Sequence, residues 1–129
     1  CPPSKEFLPH PHILELAKKC AQKTKAKILF TQYAHEAVQD ADIVYTDSWM
    51  SYRIPPSEEK HRIKVLKPYQ INPKLMKGAK KNAIFMHCLP AKRDQEVTSS
   101  VLDSKQSVVF DQAENRLHIQ KAILLKLIK

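Results

Sequence analysis

Residues 83–93 read AIFMHCLPAKR. An apolar run closes in His87, Cys88, Leu89 and Pro90, and two cations follow. A buried strand has no need of a thiol, an imidazole and a proline at its tip. These residue types serve nucleophilic and proton-transfer chemistry. Asp47, in YTDSWMS, and Asp111, after SVVF, also follow apolar runs directly. Plainer readings stand beside this one. Aspartates after strands often cap helices, and Asp111 fits that role. A lone cysteine after a strand is usually a small buried hydrophobe. Trp49 suits core or interface packing, and His10, His12 and His35 read as surface residues.

The elements that must position these groups alternate. Residues 1–10 are proline-rich, an extended lead-in. Residues 11–23 carry Ile13, Leu14, Leu16, Ala17 and Cys20 at helical spacing, with Pro11 tolerated in the first turn. Residues 27–31, KILFT, read as a strand, 34–39 as a short helix and 42–46 as a second strand. Ser57 is a candidate N-cap, with Glu58 and Glu59 in the first turn of a helix running to about Leu66. A short helix over 73–80, a strand over 83–87, a brief helix over 98–103 and a fourth strand over 107–110 follow. Asp111 opens the last helix in a capping-box-like start, and Ala113, Leu117, Leu124, Leu127 and Ile128 repeat on one face. Strands separated by helices predict an α/β fold, a Rossmann-like, mostly parallel sheet flanked by helices. Such sheets bind ligands beyond the C-terminal ends of their strands, where His87, Cys88, Leu89 and Pro90 fall.

Composition narrows the class. A length of 129 residues suggests one domain with a modest core. A hydrophobic fraction of 43% argues against disorder. The formal net charge of +9 favours anionic partners: phosphate, carboxylate or nucleic acid. No apolar run reaches the ~18 residues of a membrane span. CPPSKEFLPH has no h-region, so no signal peptide is expected, and the absence of an initiator Met suggests a processed or truncated chain. Three scattered cysteines, Cys1, Cys20 and Cys88, give no zinc spacing, so no metal site is expected; their odd count fits a reducing cytoplasm. The single glycine, Gly78, cannot build a glycine-rich phosphate loop.

MHCLPAKRDQEVT followed by VVFDQAENRLHIQKAILLKLI resembles the C-terminal half of ornithine carbamoyltransferases. ADIVYTDSWMS is similar to the family's strand and D-x-W-x-S loop, and KPYQIN to the segment after the next helix. The resemblance covers roughly residues 11–129 and implies a partial ornithine-binding domain over 1–129. It implies transfer of the carbamoyl group of carbamoyl phosphate to the side-chain amine of ornithine, giving citrulline and phosphate, with no cofactor. By the same resemblance Asp47, Ser51, Tyr52 and Cys88 contact ornithine, while Cys88, Leu89 and Arg116 contact carbamoyl phosphate. Cys88 and Arg116 are the expected catalytic pair, and the Leu89-Pro90 bond is expected to be cis. A plainer role for Arg116 is pairing with Glu114 or Asp111, and Ser51 can be a loop hydroxyl with no ligand.

Two departures accompany the resemblance. The family reads D-x-W-x-S-M-G, whereas this chain reads DSWMSYRIPPSEEK, with Tyr52 and Arg53 in place of the methionine and glycine. An altered loop leaves acetylornithine or putrescine as alternative amines. The family's carbamoyl-phosphate domain, with S-T-R-T-R and H-P-x-Q motifs, has no counterpart, so the isolated chain is expected to be inactive. The full-length family commonly builds trimers, which implies a trimer-based homo-oligomer. A reading of another class is a basic, non-catalytic binding module. Aromatics at 7% and the lack of a nucleic-acid-reading motif make nucleic acid a poor partner.

Overall fold

Two parallel strands form the centre of the molecule, which a computed structural model describes over residues 1–128. Strand β1 (Ile43–Thr46) pairs with β2 (Ile84–His87), Ile43 opposite Ile84 and Thr46 opposite His87. A parallel pair needs a long crossover. Here α3 (Glu59–Leu66) and α4 (Pro73–Met76) lie within it. Helices α1 (Pro11–Thr24) and α2 (Ala34–Val38) precede β1, and α5 (Ser99–Leu102) and α6 (Val109–Leu127) follow β2. The architecture is therefore α/β with a parallel sheet flanked by helices.

The core gathers where the strands meet α2, α4 and α5. Val38, Val44, Ile71, Met76, Phe85, Val97, Val101, Leu102 and Val109 pack into one cluster. Gly78 stands at a close approach: a Cβ there would lie 2.9 Å from Val38 Cγ1, so α2 can sit this near only over a glycine. Asn72 caps α4 by accepting from Leu75 N at 2.9 Å, and Pro73 occupies the first helical position.

The sheet is narrower than the alternation predicts. Residues 27–31 are not a strand: Ile28, Leu29 and Phe30 are exposed and the segment joins no ladder. β-propensity alone forms no strand without a neighbour to pair with. Residues 107–110 are not a strand either. Phe85 N donates to Gln106 O and Val108 N to Phe85 O, making one bridge at Ser107, and the chain turns into α6 at Val109. Asp111 therefore lies in the first turn of α6 rather than capping it. Its charge still suits the positive end of the helix. Ser57 likewise sits in a 3₁₀ turn over Pro56–Glu58, and α3 begins at Glu59 without a side-chain cap.

The apolar face of α6 meets little of the fold. Val109 is buried, whereas Leu117, Ile119, Ile123, Leu124, Leu125 and Leu127 are exposed. Helix α1 buries no residue, and its Ile13 and Leu16 are exposed. No described helix is long and apolar enough to cross a membrane.

Candidate active site at the paired strand tips

The pairing of Thr46 with His87 brings the next residues of both strands together. Asp47 and Cys88 meet there, Cys88 Sγ donating to Asp47 Oδ1 at 2.9 Å. Asp47 Oδ1 also accepts from Ser48 N at 2.6 Å. Ser48 Oγ donates to Pro90 O at 2.8 Å, tying the two post-strand loops together. The Leu89-Pro90 peptide bond is cis.

These contacts set the charges. The Asp47 carboxyl is held below its ordinary value, chiefly by the hydrogen bond from the Cys88 thiol and further by that from Ser48 N–H, with partial burial opposing. The Cys88 thiol is pushed up, first by burial and then by the Asp47 carboxylate beside it. The nearby Tyr45 hydroxyl works the other way. The resting sulfur is thus a protonated donor rather than a thiolate.

Behind the tip lies a buried pair. His87 and Glu96 are both fully buried, with Nε2 3.3 Å from Oε1. That distance would suit a hydrogen bond, but the alignment does not, and His87 Nε2 and Glu96 Oε2 have no hydrogen-bond partner among the described residues. Leu89 N donates to His87 Nδ1 at 2.8 Å, so the neutral ring carries its proton on Nε2, towards Glu96. Glu96 Oε1 accepts from Lys92 N at 2.6 Å. Leu89 has φ 53°, in a left-handed region that costs a non-glycine residue about 1–2 kcal/mol. Its bond to His87 anchors that conformation and fixes the carbonyls after Cys88.

Arg116 comes from α6. It lines a cavity of about 700 Å³ with Tyr45, Cys88 and Gln112. Among the described residues its side chain makes no hydrogen bond or ion pair, so it is not engaged by Glu114 or Asp111. Glu114 instead lies 3.3 Å from His118 Nε2. A guanidinium facing a cavity with a thiol can bind an anionic or carbonyl oxygen in bidentate fashion.

Ser51 and Tyr52 are placed apart from this cluster. Ser51 is exposed, and its carbonyl accepts from Ile54 N at 3.0 Å in a turn. Tyr52 is fully exposed at 103%, and neither residue lines the cavity of Cys88 and Arg116. The loop is instead anchored by Trp49, buried, whose carbonyl accepts from Arg62 Nε at 2.6 Å.

Sequence reasoning set His87 in the strand-tip cluster without a role of its own, and gave none to Glu96, Tyr45, Gln112 or Ser48. The period of two in AIFMH does place Phe85 and His87 on one face, which signals a buried histidine. Nothing local marks Glu96 as its partner.

A family model described as the aspartate/ornithine carbamoyltransferase Asp/Orn-binding domain matches residues 1–127. An ornithine carbamoyltransferase of Methanosphaera stadtmanae is 50% identical over 129 residues, all of this chain and 42% of the relative. The solved ornithine carbamoyltransferase of Pyrococcus furiosus aligns at TM-score 0.84 and 43% identity over 93% of this chain and 38% of its own. The anabolic enzyme of Campylobacter jejuni aligns at TM-score 0.88 and 38% identity over 98% of this chain and 41% of its own. The chain thus spans about two fifths of the length of these relatives. Together with the strand-tip site, the match over 1–127 places the chain in the aspartate/ornithine carbamoyltransferase family, as its Asp/Orn-binding domain.

Proposed function

We propose that this chain supplies the ornithine side of a carbamoyl transfer, acting with a carbamoyl-phosphate-binding domain. The observation that carries the reading is the 2.9 Å contact of Cys88 Sγ with Asp47 Oδ1, beside a cavity that Cys88 and Arg116 line together. The ionised Asp47 is an acceptor for the ammonium of the amino-acid end of ornithine, through charge-assisted hydrogen bonds. The side-chain amine then lies near the Cys88 sulfur. The lone pair of the neutral amine forms the C–N bond, the C–O bond to phosphate breaks, and one amine proton passes to the departing phosphate. Citrulline and phosphate result. The Cys88 and Leu89 carbonyls accept from the carbamoyl NH2, and the Arg116 fork takes an oxygen of carbamoyl phosphate. Most of the acceleration in this reading is positioning and charge stabilisation.

Ser51 and Tyr52 complete the ornithine pocket in this reading only after the loop closes, because both are exposed in the resting fold. The replacement of the family's methionine and glycine by Tyr52 and Arg53 is what a second reading rests on, in which the amine is acetylornithine or putrescine. A trimer-based assembly in the cytoplasm is the setting that the family resemblance supports.

The test mixes this chain with a separately produced carbamoyl-phosphate-binding domain of a carbamoyltransferase and measures citrulline, with calorimetry of ornithine binding alongside. Citrulline in the mixture, its absence from the isolated chain, and its loss in Asp47→Asn are expected. No citrulline together with no ornithine binding would overturn the reading.

A further inference from the structure

Gln112 sits in the first turn of α6 and reaches both strands. Its Oε1 accepts from His87 N at 3.1 Å, and its Nε2 donates to the Tyr45 hydroxyl at 3.1 Å. A backbone N–H can only donate, so the amide oxygen must face His87 and the amide nitrogen must face Tyr45. The Tyr45 oxygen is then occupied as an acceptor, and its own proton is available for another partner. Tyr45, Gln112, Cys88 and Arg116 all line the same cavity. We propose that Gln112 and Tyr45 are positioning residues for Cys88, forming a one-way hydrogen-bond chain from the β2 backbone through α6 to the sulfur.

The sulfur thereby stands between a donor and an acceptor. In this arrangement the Tyr45 proton, left free by Gln112, is directed across the cavity that both residues line and favours the thiolate, while Asp47 accepts the thiol proton and opposes the thiolate. The other charged or titratable groups near the sulfur are His87 beside it, Glu96 behind His87, and Arg116 and His118 on the α6 wall of the cavity. Tyr45→Phe leaves all of them in place. Gln112 also holds the turn that precedes Arg116, which lies four residues on and so shares its helix face. A single amide therefore ties the orientation of the sulfur to that of the guanidinium. The proposal deepens the carbamoyl-transfer reading, but its test does not depend on turnover.

The experiment uses the whole chain with Cys1→Ser and Cys20→Ser, leaving Cys88 as the sole thiol. The rate of alkylation by iodoacetamide is followed against pH, since the thiolate is the reacting form. Tyr45→Phe keeps the ring and removes the donor. Its profile is expected to move to higher pH by about half a unit or more, about threefold slower at a fixed pH on the rising limb. Gln112→Leu is expected to move it in the same sense. The double variant is expected to move it no further than Tyr45→Phe alone, as residues acting through one chain are non-additive. Gln112→Met, uncharged and of similar length, also removes both contacts and gives the same upward shift if Gln112→Leu does not fold. A Tyr45→Phe profile that is unchanged or lower overturns the proposal. So do additive shifts in the double variant, which would make Gln112 a packing staple only.

Discussion

Cys88 and Asp47 are 41 positions apart in the chain, yet sulfur and carboxylate oxygen lie 2.9 Å from each other. The parallel register of β1 and β2 causes this, because Thr46 opposite His87 leaves the next two residues side by side. The contact needs a protonated sulfur and an ionised carboxyl at once.

That requirement gives a stability window in pH. The folded Asp47 value is lowered from 3.8, so its contribution is full above about 3.8 and fades as pH falls through the lower folded value. The folded Cys88 value is raised from 9.0, so its contribution is full below about 9.0 and fades as pH rises through the higher folded value. Thermal melts across this range should show a plateau with two falling limbs. Cys88→Ala should flatten the alkaline limb, and Asp47→Asn the acid one. A variant with both limbs intact would remove the pair as their cause.

The proposed reading sets the Cys88 sulfur facing the amine, so with a carbamoyl-phosphate domain added, Cys88→Ala should lower turnover more than it weakens carbamoyl phosphate binding. Steady-state kinetics with each substrate varied separates the two. An unchanged kcat would make Cys88 a packing residue.

Phe85 is fully buried at the centre of β2. Phe85→Ala should cost about 3–5 kcal/mol, as a large core aromatic leaves a cavity that close-packed neighbours fill only in part. Denaturant unfolding reads this as a lower midpoint. A loss under about 1 kcal/mol would mean that the site can collapse.

The loop makes the opposite prediction. Tyr52 is fully exposed, so Tyr52→Ala should change stability by no more than about 0.5 kcal/mol. Its effect should appear only with substrate. A panel of ornithine, acetylornithine, putrescine and lysine with the assembled enzyme is expected to favour ornithine. A tenfold preference in kcat/KM for another amine, about 1.4 kcal/mol, would reassign the substrate and keep the chemistry.

Local pattern revealed the site's position better than the sheet's width. The period of two in AIFMH and the run DIVYT mark β2 and β1, and the tips of these strands hold Cys88 and Asp47. KILFT has the same composition and forms no strand, since pairing depends on what lies beside a segment rather than on the segment itself. Arg116 was legible through DQAENRLH, but the placement of its helix start at Val109 was not, because the chain leaves its bridge to Phe85 earlier than the apolar run ends. His87 could be suspected from its face of the strand. Glu96 could not, because a contact nine residues away across a cis turn leaves no periodic trace.

Helix α6 is fastened near one end, by Val109 in the core and by Gln112 on the strands, while its far side chains stand clear. Mechanically it is a lever. Arg116 lies seven residues beyond Val109, about 10 Å at 1.5 Å per residue, so a tilt of about 10° at the root moves it by about 2 Å. The tip at Leu127, about 27 Å out, swings by about 5 Å for the same tilt. A shift of 2 Å separates a bidentate guanidinium contact from none. Any body that seats on the bare leucines and isoleucines between Leu117 and Leu127 therefore sets the angle at which Arg116 meets the strand tips.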